Sequence, residues 1–388
     1  MEPLSPERHE LKFTGDGATY FGIWIVNVLL TIVTVGLYSP WAKVRRLRYF
    51  YGSTLLDGSP FDYHGAPLAL LKGRLIALAL LVAYSQTAKI SLTLWLAVVA
   101  AIAIALPWLL WKSQQFRLRN SSYRGIRFGF DGTVGQSYAT FGLPILLFLS
   151  PYVLMGIMGL RAGAGTPPSP MVFLPIGLIF LVVLALSPWL YLRIKRYQHG
   201  RARLGSTTFS FTATLGDAYW LGFAAFGLGV FAVIVAVIFG FGGGFIARTI
   251  AHAVNLATAS TQAANAADQM VGIVVGVILG YAVMFAVYPL VTALRQNFIW
   301  GNTRLGAAPF HSQASGGELL QIYALNAFLV IVTLGLYWPY AVVRTLRYQL
   351  GALSWEGDPA AVVANAADAG VTAVGEETAE IFGFDLAL

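Results

Sequence analysis

Five times in this chain an apolar run closes on a proline followed by a short basic segment, and the five copies stay in register. The prolines are Pro40, Pro107, Pro188, Pro289 and Pro339, and the next residues are Trp41, Trp108, Trp189, Leu290 and Tyr340. Five beyond the proline stand Arg45, Lys112, Arg193 and Arg344; the fourth copy has Leu294, with Arg295 one place later. Nine beyond, every copy is aromatic: Tyr49, Phe116, Tyr197, Phe298 and Tyr348. Twenty-one beyond, four copies carry Phe61, Phe128, Phe209 and Phe310. The fifth has Ala360 there, and Phe382 is its expected counterpart after an insertion. Five copies in register argue for internal duplication, a common way to build polytopic membrane proteins.

The apolar runs set the environment. They are roughly 20–41, 68–85, 90–111, 141–160, 171–192, 219–246, 270–294 and 319–343. Most reach the ~20 residues that carry a helix across ~30 Å of hydrocarbon. Only 11% of the 388 residues are charged, against about 25% in soluble domains. The opening MEPLSPERHE lacks a basic n-region and an apolar h-region, so it does not read as a signal peptide. No Cys is present, which excludes disulfides, thiol chemistry and Cys-ligated metals.

The net charge of +8 is unevenly spread: after Arg347 there are seven acids and no Lys or Arg. The remaining body is strongly basic. Its cations abut apolar spans, so anionic lipid headgroups and the positive-inside bias explain them, and no nucleic-acid partner is expected.

After each basic segment comes a second recurring piece. It reads FTGDG at Phe13, FDYHG at Phe61, FGFDG at Phe128, FSFTA at Phe209 and FGFDL at Phe382. Alternation in Ile126–Phe130 and Thr208–Phe211 suggests short strands, and Gly with Asp suits a turn. Asp217 and Glu318 precede apolar runs, where a helix dipole favours negative charge. Two segments match most closely: NVLLTIVTVGLYSPWAKVRRLRY from Asn27 and NAFLVIVTLGLYWPYAVVRTLRY from Asn326, at a constant offset of 299.

Basic residues concentrate in the Pro-to-Phe loops, which positive-inside places in the cytoplasm. If the first and last segments each cross once, the pieces at the chain's two ends fall on the opposite face. Two readings follow. In one, those segments are re-entrant or interfacial hairpins bent at Thr31-x-x-Thr34-x-Gly36 and Thr333-Leu334-Gly335, leaving six crossings. In the other, all eight segments cross.

The Pro-aromatic-basic unit has a plain role as helix break, aromatic belt and headgroup anchor. Its sharper role is an anion or phospholipid-headgroup site, because Arg pairs with phosphate in a fork. The candidates are Arg45, Arg48, Arg193, Arg196, Arg344 and Arg347, which recur at equivalent positions. Asn27 and Asn326 are candidate intramembrane polar contacts, either packing glue or a solute-binding amide. No acid falls inside a clear crossing, which speaks against a proton- or sodium-coupled transporter. His9, His64, His199, His252 and His311 form no metal-spaced pair and read as solvated loop residues. No G-x-S-x-G elbow is present. Gly240–Gly244 lacks the Lys-Ser/Thr of a phosphate loop. Catalytic residues, cofactor and metal are therefore all read as none.

The run N-x-L-L-T-x-x-T-x-G-L-Y-S-P-W-A-K-V-R from Asn27, the F-x-Y-x-G at Phe61 and the T-L-G-L-Y-W-P at Thr333 resemble the YjgN family. The resemblance implies a multi-pass bacterial inner-membrane protein and carries over no activity and no site residues. The fold is expected to be an all-α polytopic membrane bundle of 6–8 membrane segments, with internal repeats and short cytoplasmic β-strand/turn pieces. The chain reads as one membrane domain, 1–388, with repeats at 20–65, 107–132, 188–212, 289–311 and 319–359 and an acidic cytoplasmic tail at 360–388. The expected function is binding or passage of a small solute or lipid, with membrane lipids as partners; the alternative is a membrane scaffold with a repeat-built cytoplasmic face. A homo-oligomer or a membrane-protein partner stays open.

Overall fold

The computed structural model describes residues 8–162, 173–255 and 261–368. Its organising element is a barrel. Ten strands close on themselves: β1 (Arg8–Phe13), β2 (Thr54–Leu56), β3 (Ser59–Tyr63), β4 (Ser121–Tyr123), β5 (Ile126–Phe130), β6 (Ala202–Leu204), β7 (Thr207–Phe211), β8 (Thr303–Leu305), β9 (Ala308–Ser312) and β10 (Leu353–Glu356). Every pairing is antiparallel, including β1 with β10. The expectation of an all-α bundle with isolated strand pieces is thus corrected. A three-residue strand leaves its edges unpaired in isolation, and closure removes every edge.

Four hairpins are local: β2–β3, β4–β5, β6–β7 and β8–β9. Their turns demand positive φ, supplied at Asp57-Gly58 and Arg124-Gly125 and by Gly205 and Gly306, the backbone of tight two-residue hairpin turns. The fifth hairpin is assembled from the two ends of the described chain, β10 and β1. Its register is that of the others. Leu11 pairs with Leu56 as Phe61 pairs with Tyr123, Phe128 with Leu204, Phe209 with Leu305 and Phe310 with Trp355. So the missing partner of the fifth copy is β1, with Leu11 in the place of Phe. Ala360 lies instead in a later helix, and Phe382 falls outside the described residues.

Those ten side chains fill the barrel. Leu11, Leu56, Tyr123, Leu204, Leu305, Phe310 and Trp355 are buried, and Phe61, Phe128 and Phe209 pack on them. The Phe rings stack in sequence around the interior at 6.4, 6.3 and 6.2 Å. Burying each such side chain contributes about 1.5–3 kcal/mol.

Between successive hairpins the chain runs out as two helices and back. The pairs are α1 (Gly17–Val33) with α2 (Ser39–Gly52), α3 (Pro67–Ile90) with α4 (Leu92–Arg119), and α5 (Val134–Ala162) with α6 (Phe173–Gly200). Then come α7 (Leu215–Asn255) with α8 (Thr261–Gly301), and α9 (Gly316–Val332) with α10 (Trp338–Gly351). Each helix packs on the next, and α1 on α10 closes the ring. A short helix, α11 (Pro359–Asp368), follows β10 and buries Val362 in the barrel core.

Six helices, α3 to α8, contain segments long and apolar enough to cross a membrane. Their outward side chains are apolar: Leu146, Phe148, Phe180 and Phe231 are all exposed. α1 and α9 have 17 residues each, about 25 Å of helix, short of ~30 Å of hydrocarbon. Both end in the same bend. Val35 and Gly36, and Leu334 and Gly335, take positive φ. The amides of Gly36 and Gly335 reach back to the carbonyls of Thr31 and Val330 at 2.7 and 2.8 Å. The hydroxyls of Thr34 and Thr333 each receive the amide four residues on, at 2.9 Å. Since β1 and β2 are neighbours in the barrel, as are β9 and β10, α1–α2 and α9–α10 leave and return on one side.

The repeat prolines behave in two ways. Pro40 and Pro339 open α2 and α10, while Pro107, Pro188 and Pro289 lie inside continuous helices. The expected helix break occurs only in the short pairs. In the long helices a neighbour meets the backbone disturbed by the proline. Tyr138 donates to the Ile104 carbonyl at 2.7 Å, and Tyr219 to Ala185 at 3.0 Å.

Candidate anion-binding groove

The repeated Arg and Tyr positions first explain how the ring holds together. Eight beyond the proline, Arg196 donates to the Ala213 carbonyl at 2.7 Å, and Arg347 to Gly15 at 2.8 Å. Asn297 makes the same bond to Ala314 at 2.9 Å. Each acceptor lies in the turn leading from the barrel to the unit's own second helix. Nine beyond, the tyrosines reach the preceding unit instead. Tyr49 donates to the Asp16 carbonyl at 2.7 Å, Tyr348 to Ser315 at 3.3 Å and Tyr197 to Thr133 at 3.4 Å. These are the helix-capping residues. Asp16 caps α1, and its pKa is lowered to about 2 by the Thr19 hydroxyl and the Thr19 and Ala18 amides. Ser315 caps α9, and Thr133 exchanges capping bonds with Gln136 at 3.2 Å, the reciprocal geometry of a capping box.

The six arginines singled out by recurrence therefore do not converge. Arg196 and Arg347 are tied to backbone turns. Arg193 lies over the Trp189 ring at 5.2 Å. Arg45 and Arg48 are exposed on α2, and Arg344 is half-buried on α10. Arg347 also lines a cavity of about 390 Å³ with Arg8, where Glu10 and Glu318 offset the two cations.

Basic side chains do come together beside Asn27. A cavity of about 560 Å³ lies along the α1–α2 pair, lined by Trp24, Asn27, Thr31, Ser39, Lys43 and Arg46, with Arg74 from α3 and Trp338 from α10. No acid lines it. Arg74 donates to the Ser39 hydroxyl. Asn27 is buried at 8% exposure, its amide giving one bond to the Ala42 carbonyl at 3.3 Å. Its carboxamide oxygen is buried without a partner, a costly state for a polar atom. Asn326 repeats the arrangement across α9–α10. It donates to Ala341 and to Thr345, both at 3.2 Å, and its oxygen is likewise unpartnered.

Sequence reasoning picked Asn27 but passed over Lys43, Arg46 and Arg74 because they do not recur in every copy. Their signal was local: Lys43 and Arg46 lie one helical turn apart, and Arg74 opens the next apolar run. Three of the histidines, His9, His199 and His311, are placed differently from the solvated-loop expectation, while His64 is exposed in a loop. His9 lies 3.3 Å from Asp57 and His311 3.2 Å from Glu356 at the barrel rim, while His199 packs against Phe211 and Trp300. Among the described residues no group of His, Asp and Glu is spaced to hold a metal.

A closed strand barrel bearing a ring of apolar helices, six of them of spanning length, defines a multi-pass membrane protein. The model of the bacterial proteins of unknown function designated DUF898 matches residues 8–381, and the chain belongs to that family. It is 32% identical over 154 residues to the inner membrane protein YjgN of Salmonella typhimurium strain LT2, covering 39% of each chain. It is also 32% identical over 141 residues to YjgN of Escherichia coli O157:H7, covering 36% of this chain and 35% of that one. The aligned part thus spans well under half of these relatives. No solved structure matches the chain. The protein is a multi-pass inner-membrane protein.

Proposed function

We propose that the protein binds a phosphate-bearing membrane lipid by its headgroup in the α1–α2 groove. The observation that carries this is the unpartnered Asn27 oxygen in a cavity whose charged side chains, among the described residues, are Lys43, Arg46 and Arg74. Cations of this kind pair with phosphate oxygens. The Asn27 oxygen accepts only from a donor, so it suits a headgroup that adds a hydroxyl or amine to its phosphate. Trp24 and Trp338 are of the type that settles at a membrane interface. The groove opens beside helices too short to cross, which brings headgroup depth to its wall. The basic residues near the barrel support a cytoplasmic barrel under the positive-inside bias. The reading assigns binding and no catalytic step.

The test is lipid retention by the purified full chain, read by native mass spectrometry with phosphatidylglycerol and phosphatidylcholine. Lys43→Gln combined with Arg74→Gln is expected to weaken phosphatidylglycerol retention by about tenfold or more, since each charged bond lost is worth about 1.5–3 kcal/mol. Equal retention by the variant and the parent contradicts the proposal.

A further inference from the structure

The five outgoing helices start from one level: α1, α3, α5, α7 and α9 each begin four residues after the end of the preceding strand. Their lengths therefore compare depths directly. α1 and α9 stop after 17 residues, while α3 runs for 24, about 10 Å further. The two short pairs are also neighbours, because β1 pairs with β10 and α1 packs on α10. Four short helices side by side leave a notch in the ring above their tips, and α3 borders it. From Leu81 to Gln86 every residue of α3 is exposed, whereas Ala69, Leu70 and Gly73 nearer the barrel are buried.

The α1–α2 groove leads into this notch. It follows α1 from Tyr20 to Ile32, about 18 Å. It ends at Ser39 and Trp338, the first residues of α2 and α10 at the tips. Arg74 donates to the Ser39 hydroxyl, so its guanidinium stands at the tip although its backbone lies nearer the barrel. α3 then carries polar groups past the tip. At 100° per residue, Ser85 lies about 20° and Lys89 about 60° from Arg74 around the helix, and both are exposed. Lys89 sits in the last turn of α3, at the far end of a helix long and apolar enough to span.

Apolar helices shorter than the hydrocarbon thin the bilayer beside them, and a charged side chain at depth draws water and headgroups toward it. We propose that a phospholipid headgroup crosses the membrane at this notch. It moves from the groove past Arg74 and Ser85 to Lys89, while its acyl chains stay in the lipid outside the ring. The activity is passive exchange of phosphate-bearing lipids between leaflets. Among the described residues no acid lines the groove or this face of α3. Proton coupling runs through such acids, so the lipid's own gradient sets the direction. The inference rests on the headgroup reading of the groove and adds movement to binding.

The experiment reconstitutes the full chain in vesicles of phosphatidylcholine and phosphatidylglycerol with a trace of acyl-labelled fluorescent phosphatidylglycerol. An impermeant reductant then bleaches the label. Without protein, bleaching stops at the outer leaflet; with it, a second phase that empties the inner leaflet is expected. Lys43→Gln with Arg74→Gln is expected to slow that phase by about tenfold or more, as when a charge-assisted contact is lost. If that pair does not fold, Arg46→Gln carries the same expectation. Ser85→Leu with Lys89→Leu lies outside the groove and is expected to slow the phase by about tenfold, with lipid retention in native mass spectrometry at the parent's level. Arg193→Gln, on α6, is expected to change neither reading. Retention by the parent without a second phase overturns the passage and leaves the groove reading standing; absence of both removes both. A second phase that survives either pair, or that Arg193→Gln slows as much, also overturns the proposal.

Discussion

The α7–α8 and α9–α10 pairs occupy equivalent places. Each leaves the barrel from one hairpin and returns to the next, and each carries the repeat proline at a buried position, Pro289 or Pro339. Yet α7 and α8 have 41 residues each, and α9 and α10 only 17 and 14. One pair is long and apolar enough to cross twice; the other turns back within about 25 Å. The difference lies in what surrounds the proline. In α8 the helix runs through Pro289, whereas before Pro339 the Thr333-Leu334-Gly335 bend has already reversed the chain. The barrel thus tolerates two depths of insertion from one unit plan, because its register fixes where a pair starts and ends and leaves its length free.

The strongest way to break this comparison is to charge the bend. Val35 and Leu334 are 92% and 93% exposed at the tips of the short pairs. If the tips lie in hydrocarbon, Val35→Arg or Leu334→Arg costs about 2.5–3.5 kcal/mol; in water, such a change stays within about 0.5 kcal/mol. Denaturant unfolding in bicelles measures it, and the larger cost is expected.

A smaller effect sharpens the comparison from inside the pair. Asn326 ties α9 to α10 through two acceptors, and Asn27 ties α1 to α2 through one. Asn326→Leu is expected to cost about 1–2 kcal/mol, and Asn27→Leu less, in the same unfolding assay. A larger cost for Asn27→Leu would mean that the two hairpins are held differently.

The smallest effect is electrostatic. Asp16 caps α1 with a pKa lowered to about 2. A carboxyl lowered on folding contributes stability that is complete above its unfolded value near 4 and is lost as pH falls toward 2. The unfolding midpoint should fall through that window in the parent and fall less in Asp16→Asn. Identical acid profiles would remove the cap from the account of why α1 starts where it does.

Much of this plan was legible in the residues. The five proline units, the short strands after them and the kinship of the segments at Asn27 and Asn326 are local patterns. Charge placement alone raised the re-entrant reading of the end segments beside the eight-crossing one. The barrel was not legible, because pairing between hairpins joins residues in different units. Glu10 and Ser354 are partners in the register and are 344 positions apart in the chain; nothing near either residue signals the other. For the same reason the missing strand of the fifth unit was sought downstream at Phe382, while the chain supplies it from β1. Recurrence also pointed away from the groove. Arg196 and Arg347 anchor turns of their own units, while Lys43 has no basic counterpart three beyond any other proline, and Arg46 has one only in Arg295.

The central claim is that the first and last segments return to the side they left, so that β1 and β10 meet. The chain has no Cys, and Glu10 and Ser354 face each other in the register. Glu10→Cys with Ser354→Cys, oxidised in membranes, should give an intramolecular disulfide that shifts gel mobility and disappears on reduction. Absence of the cross-link, with the two thiols labelled from opposite faces of the membrane, would contradict the closed barrel and the six-crossing topology together.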